Sequence, residues 1–234
     1  MLQFGWETFK KSPLRLIGFP LLVGIGMMII SYAIDEISKQ GTALAIVGFV
    51  VSFVIQTFYG IGMANFFVKA ERNVESVELM DFWYPKPFWR YVGMSLLMLP
   101  IGAVVLLGVA AIAGIVAGIM YLVSAQSVGV AFLSAMVIVG IPAAVILGLF
   151  LFPLQYIMVS SDIGPIDGLK RSYHITRPHL FQIFLFMLAI IGINILGLLA
   201  LIVGLLVSIP VSTLASVHLF RHLEREAGTP PATV

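Results

Sequence analysis

Three side chains near the end of the chain share a spacing that could do chemistry. His218, His222 and Glu226 fall at i, i+4 and i+8, so a helix presents them on one face. Two imidazoles and a carboxylate are zinc ligands, but a closed site needs a fourth donor, and no HExxH supplies a general base. The same residues also read as polar groups at a helix end, where side chains reach toward the headgroups and cations complement the dipole. A second candidate is the carboxylate pair Asp162 and Asp167, which brackets Gly164-Pro165. It suits acid–base work, or a turn with Asp167 capping the helix that follows. Gly60-Ile61-Gly62 lies inside an apolar run and follows no strand, so it is not a dinucleotide loop. The chain has no cysteine, which excludes disulfides, thiolate metal sites and cysteine nucleophiles. No catalytic residue and no cofactor follow from these patterns.

The elements that must position these residues are set by composition. Of 234 residues, 60% are hydrophobic and only 10% charged, with a mean hydropathy of +1.09. A soluble domain carries about 25% charge and needs a wettable exterior. These values exclude a soluble enzyme, a disordered chain and a nucleic-acid-binding module, and leave an integral membrane protein. The apolar runs are continuous, not alternating, so helices and not a barrel cross the bilayer.

A span needs about 20 residues. The runs predict an all-α polytopic bundle of six transmembrane helices, at about 14–34, 42–68, 91–123, 128–159, 180–200 and 203–222, followed by a short tail from 225. Lys10, Lys11 and Arg15 precede the first run as in a signal peptide, but no small-residue cleavage pattern follows, so it is an uncleaved span. Pro100 and Pro142 are expected kinks. Ser124 to Ser127 form the polar break between the third and fourth spans, and the last turn belongs between Gly197 and Gly204. Ala110, Gly114 and Gly118 form a small-residue face on the third span, which permits close packing within the chain or between protomers, the first being expected.

With six spans, every lysine and arginine except Lys39 falls on one side. The positive-inside rule makes that side cytoplasmic and places both termini there. The segments that precede spans one, three and five read FGWETFKKSPLRLIG, LMDFWYPKPFWRYVG and RSYHITRPHLFQIF. Each joins aromatics, basic residues and a proline ahead of a span, as an interfacial amphipathic segment followed by a helical hairpin would. No acid or base lies deep in a span, which counts against proton-coupled transport. The deep polar residues Gln56, Asn65, Gln155 and Asn194 fit interhelical hydrogen bonds, or the lining of a path for a small amphiphile.

The stretch SSDIGPIDGLKRSYHITRPHLFQIFLF and the hairpin after it resemble a bacterial family. It comprises YciC-like proteins and the membrane domain that precedes some glycerophosphodiester phosphodiesterases. The resemblance rests on Gly164, Pro165, Gly168, Leu169, Lys170, Ser172, Tyr173, Arg177, Gly204, Pro210 and Phe220, with Gly5, Trp6, Phe9, Lys10 and Pro13 at the start. It implies a six-helix protein of the bacterial inner membrane with interfacial helices and no settled activity. The residues ending REAGTPPATV are too few for a phosphodiesterase domain.

Three expectations follow. The first is a non-enzymatic protein that organises lipid, a partner protein or a second copy of itself. It would act through a rim of Trp6, Lys10, Lys11, Trp83, Lys86, Trp89, Arg90, Lys170, Arg171, Tyr173 and Arg177. The second is a transporter or channel lined by the four deep amides. The third is a metal- or lipid-modifying enzyme built on His218, His222 and Glu226.

Overall fold

The computed structural model describes residues 1–83, 88–124, 128–200 and 203–228. Nine helices lie among them: α1 (Leu2–Lys11), α2 (Pro13–Ser38), α3 (Thr42–Arg72), α4 (Phe88–Ser124), α5 (Val128–Leu151), α6 (Leu154–Ser160), α7 (Pro165–Thr176), α8 (Leu180–Leu199) and α9 (Val203–Glu226). Three short 3-10 turns join them, and no strand occurs among the described residues. Six helical segments are long and apolar enough to cross a membrane. The protein is a polytopic helical membrane protein.

The spans pair as antiparallel hairpins, α2 with α3, α4 with α5 and α8 with α9. Ahead of the first and third hairpins stands an amphipathic helix. α1 buries Gly5, Thr8 and Phe9 and exposes Trp6, Lys10 and Lys11. α7 buries Gly168, Ser172, Ile175 and Thr176. Pro13 opens α2 and Pro165 opens α7, where proline's missing N–H costs nothing.

Ahead of the second hairpin the chain turns back along α3. Asp81 meets Lys69, its carbonyl accepts from Asn65, and the carbonyl of Phe82 rests on Gly62. Trp83 then stacks on Phe58 with ring centroids 5.4 Å apart. Positions 69, 65, 62 and 58 recur at helical spacing, so one face of α3 receives the whole segment. A side chain at Gly62 would collide with the backbone of Phe82.

The core sits at the end of the bundle that carries the cations. Its fully buried large side chains include Leu16, Phe66, Phe67, Ile157, Met158, Ile175, Ile183, Leu219 and Phe220. These come from the first turns of α2 and α8, the last turns of α3 and α9, and from α6 and α7. α9 is the central post, packed against α1, α2, α3, α7 and α8. Away from this end the helices turn bare apolar flanks outward. Leu122 is 84% exposed and Met28 75%, which suits side chains whose solvent is acyl chain.

Two expectations need correction. The small-residue face Ala110, Gly114, Gly118 does not hold the hairpin together: Gly114 and Gly118 look into open space. The buried residues of α4 here are instead one position back, Val109, Ala113 and Ala117, and Val109 meets Gly140 of α5. Both stripes are apolar and small, so spacing alone does not select between them. α4 and α5 stay helical through Pro100 and Pro142, and a break in the helix falls at Phe152-Pro153, between α5 and α6. Asp167 does not cap α7: Gly164 occupies that position, and Asp167 stands in the first turn, 3.6 Å from Lys170. The break at 125–127 lies outside the described residues. α8 ends at Leu199 and α9 begins at Val203, and just beyond that turn the backbones of Gly197 and Gly204 touch, leaving no room for a side chain at either.

Candidate functional site

The basic end divides into an inner set of charges that hold the fold and an outer set that meets the surroundings. A buried charge must be paired to be tolerated, and the inner set obeys this. Glu71, at the end of α3, is the hub. His218 Nδ1 lies 3.0 Å from one of its oxygens and Arg221 Nε 2.9 Å from the other. Arg221 also donates to the Val68 carbonyl, and Phe4 of α1 stacks on the His218 ring with centroids 3.9 Å apart. Arg171 of α7 pairs with the buried Glu224 of α9 at 2.7 Å. Lys69 grips Asp81 at 2.8 Å, and Arg90 binds Asp162 at 2.8 Å and the Ser161 carbonyl. Arg15 donates to the Glu75 carbonyl. Each of these bonds ties two segments far apart in sequence.

This inner set absorbs several residues with chemical promise. His218 does not join His222 and Glu226; it faces Glu71. His222 Nε2 instead shares Glu226 with His179 Nε2, at 3.3 and 3.5 Å. No group of three His, Asp or Glu able to hold a metal occurs among the described residues. Asp162 and Asp167 take separate partners, Arg90 and Lys170, and do not form a carboxylate pair. The four deep amides also part company. Asn65 donates to the Asp81 carbonyl, and Asn194 accepts from Ser208 at 2.8 Å. Gln155 is exposed, and Gln56 lines a shallow cavity of about 210 Å³ with Tyr91 and Ser95.

Of the residues expected to form the rim, Arg90 and Arg171 are thus half-committed to internal ion pairs. Lys86 lies outside the described residues. Trp6, Lys10, Lys11, Trp83, Trp89, Lys170, Tyr173 and Arg177 are all exposed. Trp89 is 79% exposed and Trp83 67%, beyond what any packing role requires. Arg177 lies 5.9 Å over the ring of Tyr173, which itself stacks on Phe150 at 5.2 Å. Indole and phenol rings beside cations favour the headgroup layer.

Two apolar grooves open beside this rim. One, of about 450 Å³, lies between α2, α3 and the turn after α3, with Val23, Met27, Phe58, Met80 and Trp83 among its walls. The other, of about 380 Å³, lies between α4, α5 and α7.

At the opposite end, Lys39 is tied to Glu36 at 3.0 Å and Asp35 at 3.4 Å. Its hydrogen bonds to Glu36 and Asp35, with the charge of Asp35, hold its pKa above the ordinary lysine value. That turn therefore carries two acids to one base.

Sequence reasoning missed Glu71, Glu224 and the groove walls. Glu71 and His218 are 147 positions apart, and Arg171 and Glu224 are 53 apart, so no local pattern joins them. The available signal was that the loops hold acids in numbers close to the bases, which foretells internal pairing.

No curated protein and no solved structure matches the chain. A family described as "Protein of unknown function (DUF975)" matches residues 7–227. That span takes in α2 to α9, the hub at Glu71 and every rim residue except Trp6, and on that extent of match the chain belongs to the DUF975 family.

Proposed function

We propose that this is a non-enzymatic protein of the bacterial cytoplasmic membrane, with its basic end in the cytoplasm, that gathers anionic lipid around its aromatic, cationic rim. One observation carries the reading. The chain spends Arg171 and Arg221 on buried carboxylates, and Lys69 and Arg90 on ion pairs nearer the surface, yet leaves Lys10, Lys11, Lys170 and Arg177 exposed beside Trp6 and Tyr173. Attraction to an anionic leaflet is worth about 1 kcal/mol per basic residue at the surface. The scarcity of bases at the other end, where Lys39 stands against twelve at this one, supports the same orientation. The resemblance to YciC-like inner-membrane proteins is in keeping with it.

Reversing all four exposed cations to glutamate tests the proposal. Native mass spectrometry after release from mixed anionic and zwitterionic nanodiscs should show fewer anionic lipids retained. Equal retention by the wild type and the variant would reject it. A fluorescent reporter fused after Val234 should be active in the cytoplasm, and a phosphatase in the same place should be silent.

A further inference from the structure

The groove between α4, α5 and α7 differs from the one beside α2 in its chemistry. Ile101 of α4, Leu147 and Leu151 of α5 and Leu169 of α7 make an apolar trough, and Lys170 and Tyr173 stand in its wall. Among the described residues, the walls of the groove beside α2 hold no cation. Lys170 lines the trough with its side chain 75% exposed, and its ammonium lies 3.6 Å from Asp167 at the surface. Ile166, Lys170, Tyr173 and Arg177 recur at helical spacing on the exposed face of α7. The trough therefore ends beneath two cations and a phenol.

The seat is also rigid. Ser172 donates to the Phe150 carbonyl, Tyr173 stacks on Phe150, and Gly168 lets Met158 press against α7. A volume of about 380 Å³ lies within the range of small-molecule sites. The nearby acid is Asp167, exposed and 3.6 Å from Lys170, against which Lys170, Arg177 and the Arg171–Glu224 pair leave a positive balance.

The geometry points to a specific seat for one anionic phospholipid. An acyl chain lies in the trough between α4 and α5, and the headgroup phosphate meets Lys170 and Arg177, with the Tyr173 hydroxyl beside them. The assignment rests on the reading of the rim as a lipid-gathering surface and narrows it to one place.

The test uses the full chain in nanodiscs with a phosphatidylglycerol that carries a diazirine in its acyl chain, and with the phosphatidylcholine of the same chains. The phosphatidylglycerol probe should label peptides around Ile101 and 147–151 more heavily than the phosphatidylcholine probe does, while the α2 flank is labelled equally by both. Lys170→Gln should cut that preference about fivefold, the equivalent of one surface cation. Leu147→Trp, which fills the trough, should abolish it. Because a tryptophan there is capable of disturbing the fold, the wild-type labelling map stands as an independent arm. Equal labelling by both probes overturns the seat. So does a chain-to-chain crosslink through the trough, which would make it an interface between copies. Lys10→Gln with Lys11→Gln separates the two levels. If this pair lowers total anionic lipid while the trough shows no preference, the rim reading stands and the seat falls. If neither the pair nor Lys170→Gln changes anything, both fall.

Discussion

The basic end of the molecule and the α4–α5 hairpin are made from nearly the same apolar alphabet, yet they are built in opposite ways. At the basic end, aromatic rings interlock and buried ion pairs fix the partners: Phe66 packs on Phe67 and Phe82, Tyr156 stacks on Phe220, and Glu71 holds both His218 and Arg221. In the hairpin, small side chains are buried in a narrow strip that includes Val109, Ala113 and Ala117, their neighbours are half-buried, and the outward flanks are exposed. Lipid tails are as apolar as leucine, so a helix in hydrocarbon gains little by hiding its leucines. Near the headgroups, polar atoms and charges must find partners or water, and that requirement selects one arrangement. The difference teaches that specificity in this fold is concentrated where the charges are.

The sharpest way to break the comparison is at the hub. Glu71→Ala leaves Arg221 and His218 facing each other without their carboxylate, and loss of one partner of a buried pair costs about 3–5 kcal/mol. Thermal unfolding in detergent should show a large fall in Tm; an unchanged Tm would mean that the pairs do not hold this end together. Next comes a matched pair of glycines. Gly62→Leu drives a side chain into the Phe82 backbone and should cost about 1–3 kcal/mol, with the loop after α3 displaced. Gly114→Leu enters open space on α4 and should change stability by less than about 0.5 kcal/mol. If Gly114→Leu proves the more damaging, the outer face of α4 is a contact surface and the contrast fails. The smallest effect belongs to Lys39. Because its pKa is raised in the folded chain, its pairing contributes fully below the ordinary value of 10.5 and is lost as the pH climbs through the higher folded value. As both pairs are largely exposed, Lys39→Gln should move Tm at pH 8 hardly at all; a large drop would place real structure at the opposite end.

The hairpins and the polarity of the molecule were legible in the sequence because the bilayer imposes them on composition. Twenty apolar residues are needed for each crossing, and cations are sorted to one side. The sites were less legible, for a physical reason. Both faces of α4 are apolar, so nothing in the spacing says whether 109, 113, 117 or 110, 114, 118 meets α5. Arg171 reads as a rim cation until Glu224 is brought to it from another helix, and His218 reads as a zinc ligand until Glu71 arrives. Trp6, Trp89 and Lys170 are exposed, and their contacts are with near neighbours in sequence, Phe9, Phe88 and Asp167, so no distant partner alters how they read.

The unequal length of the spanning helices has a consequence for the surrounding bilayer. α4 has 37 residues, about 55 Å of helix, while α8 has 20, about 30 Å. Hydrocarbon about 30 Å deep fits the second upright. Leaning by about 40°, the limit of observed tilts, still leaves the first about 42 Å tall, the full depth of a membrane with its headgroups. The lipid beside α4 must therefore stretch, or apolar helix must stand out of it, while lipid beside α8 is under no such demand. Shortening the acyl chains around the protein should therefore penalise the α4 flank more than the α8 flank.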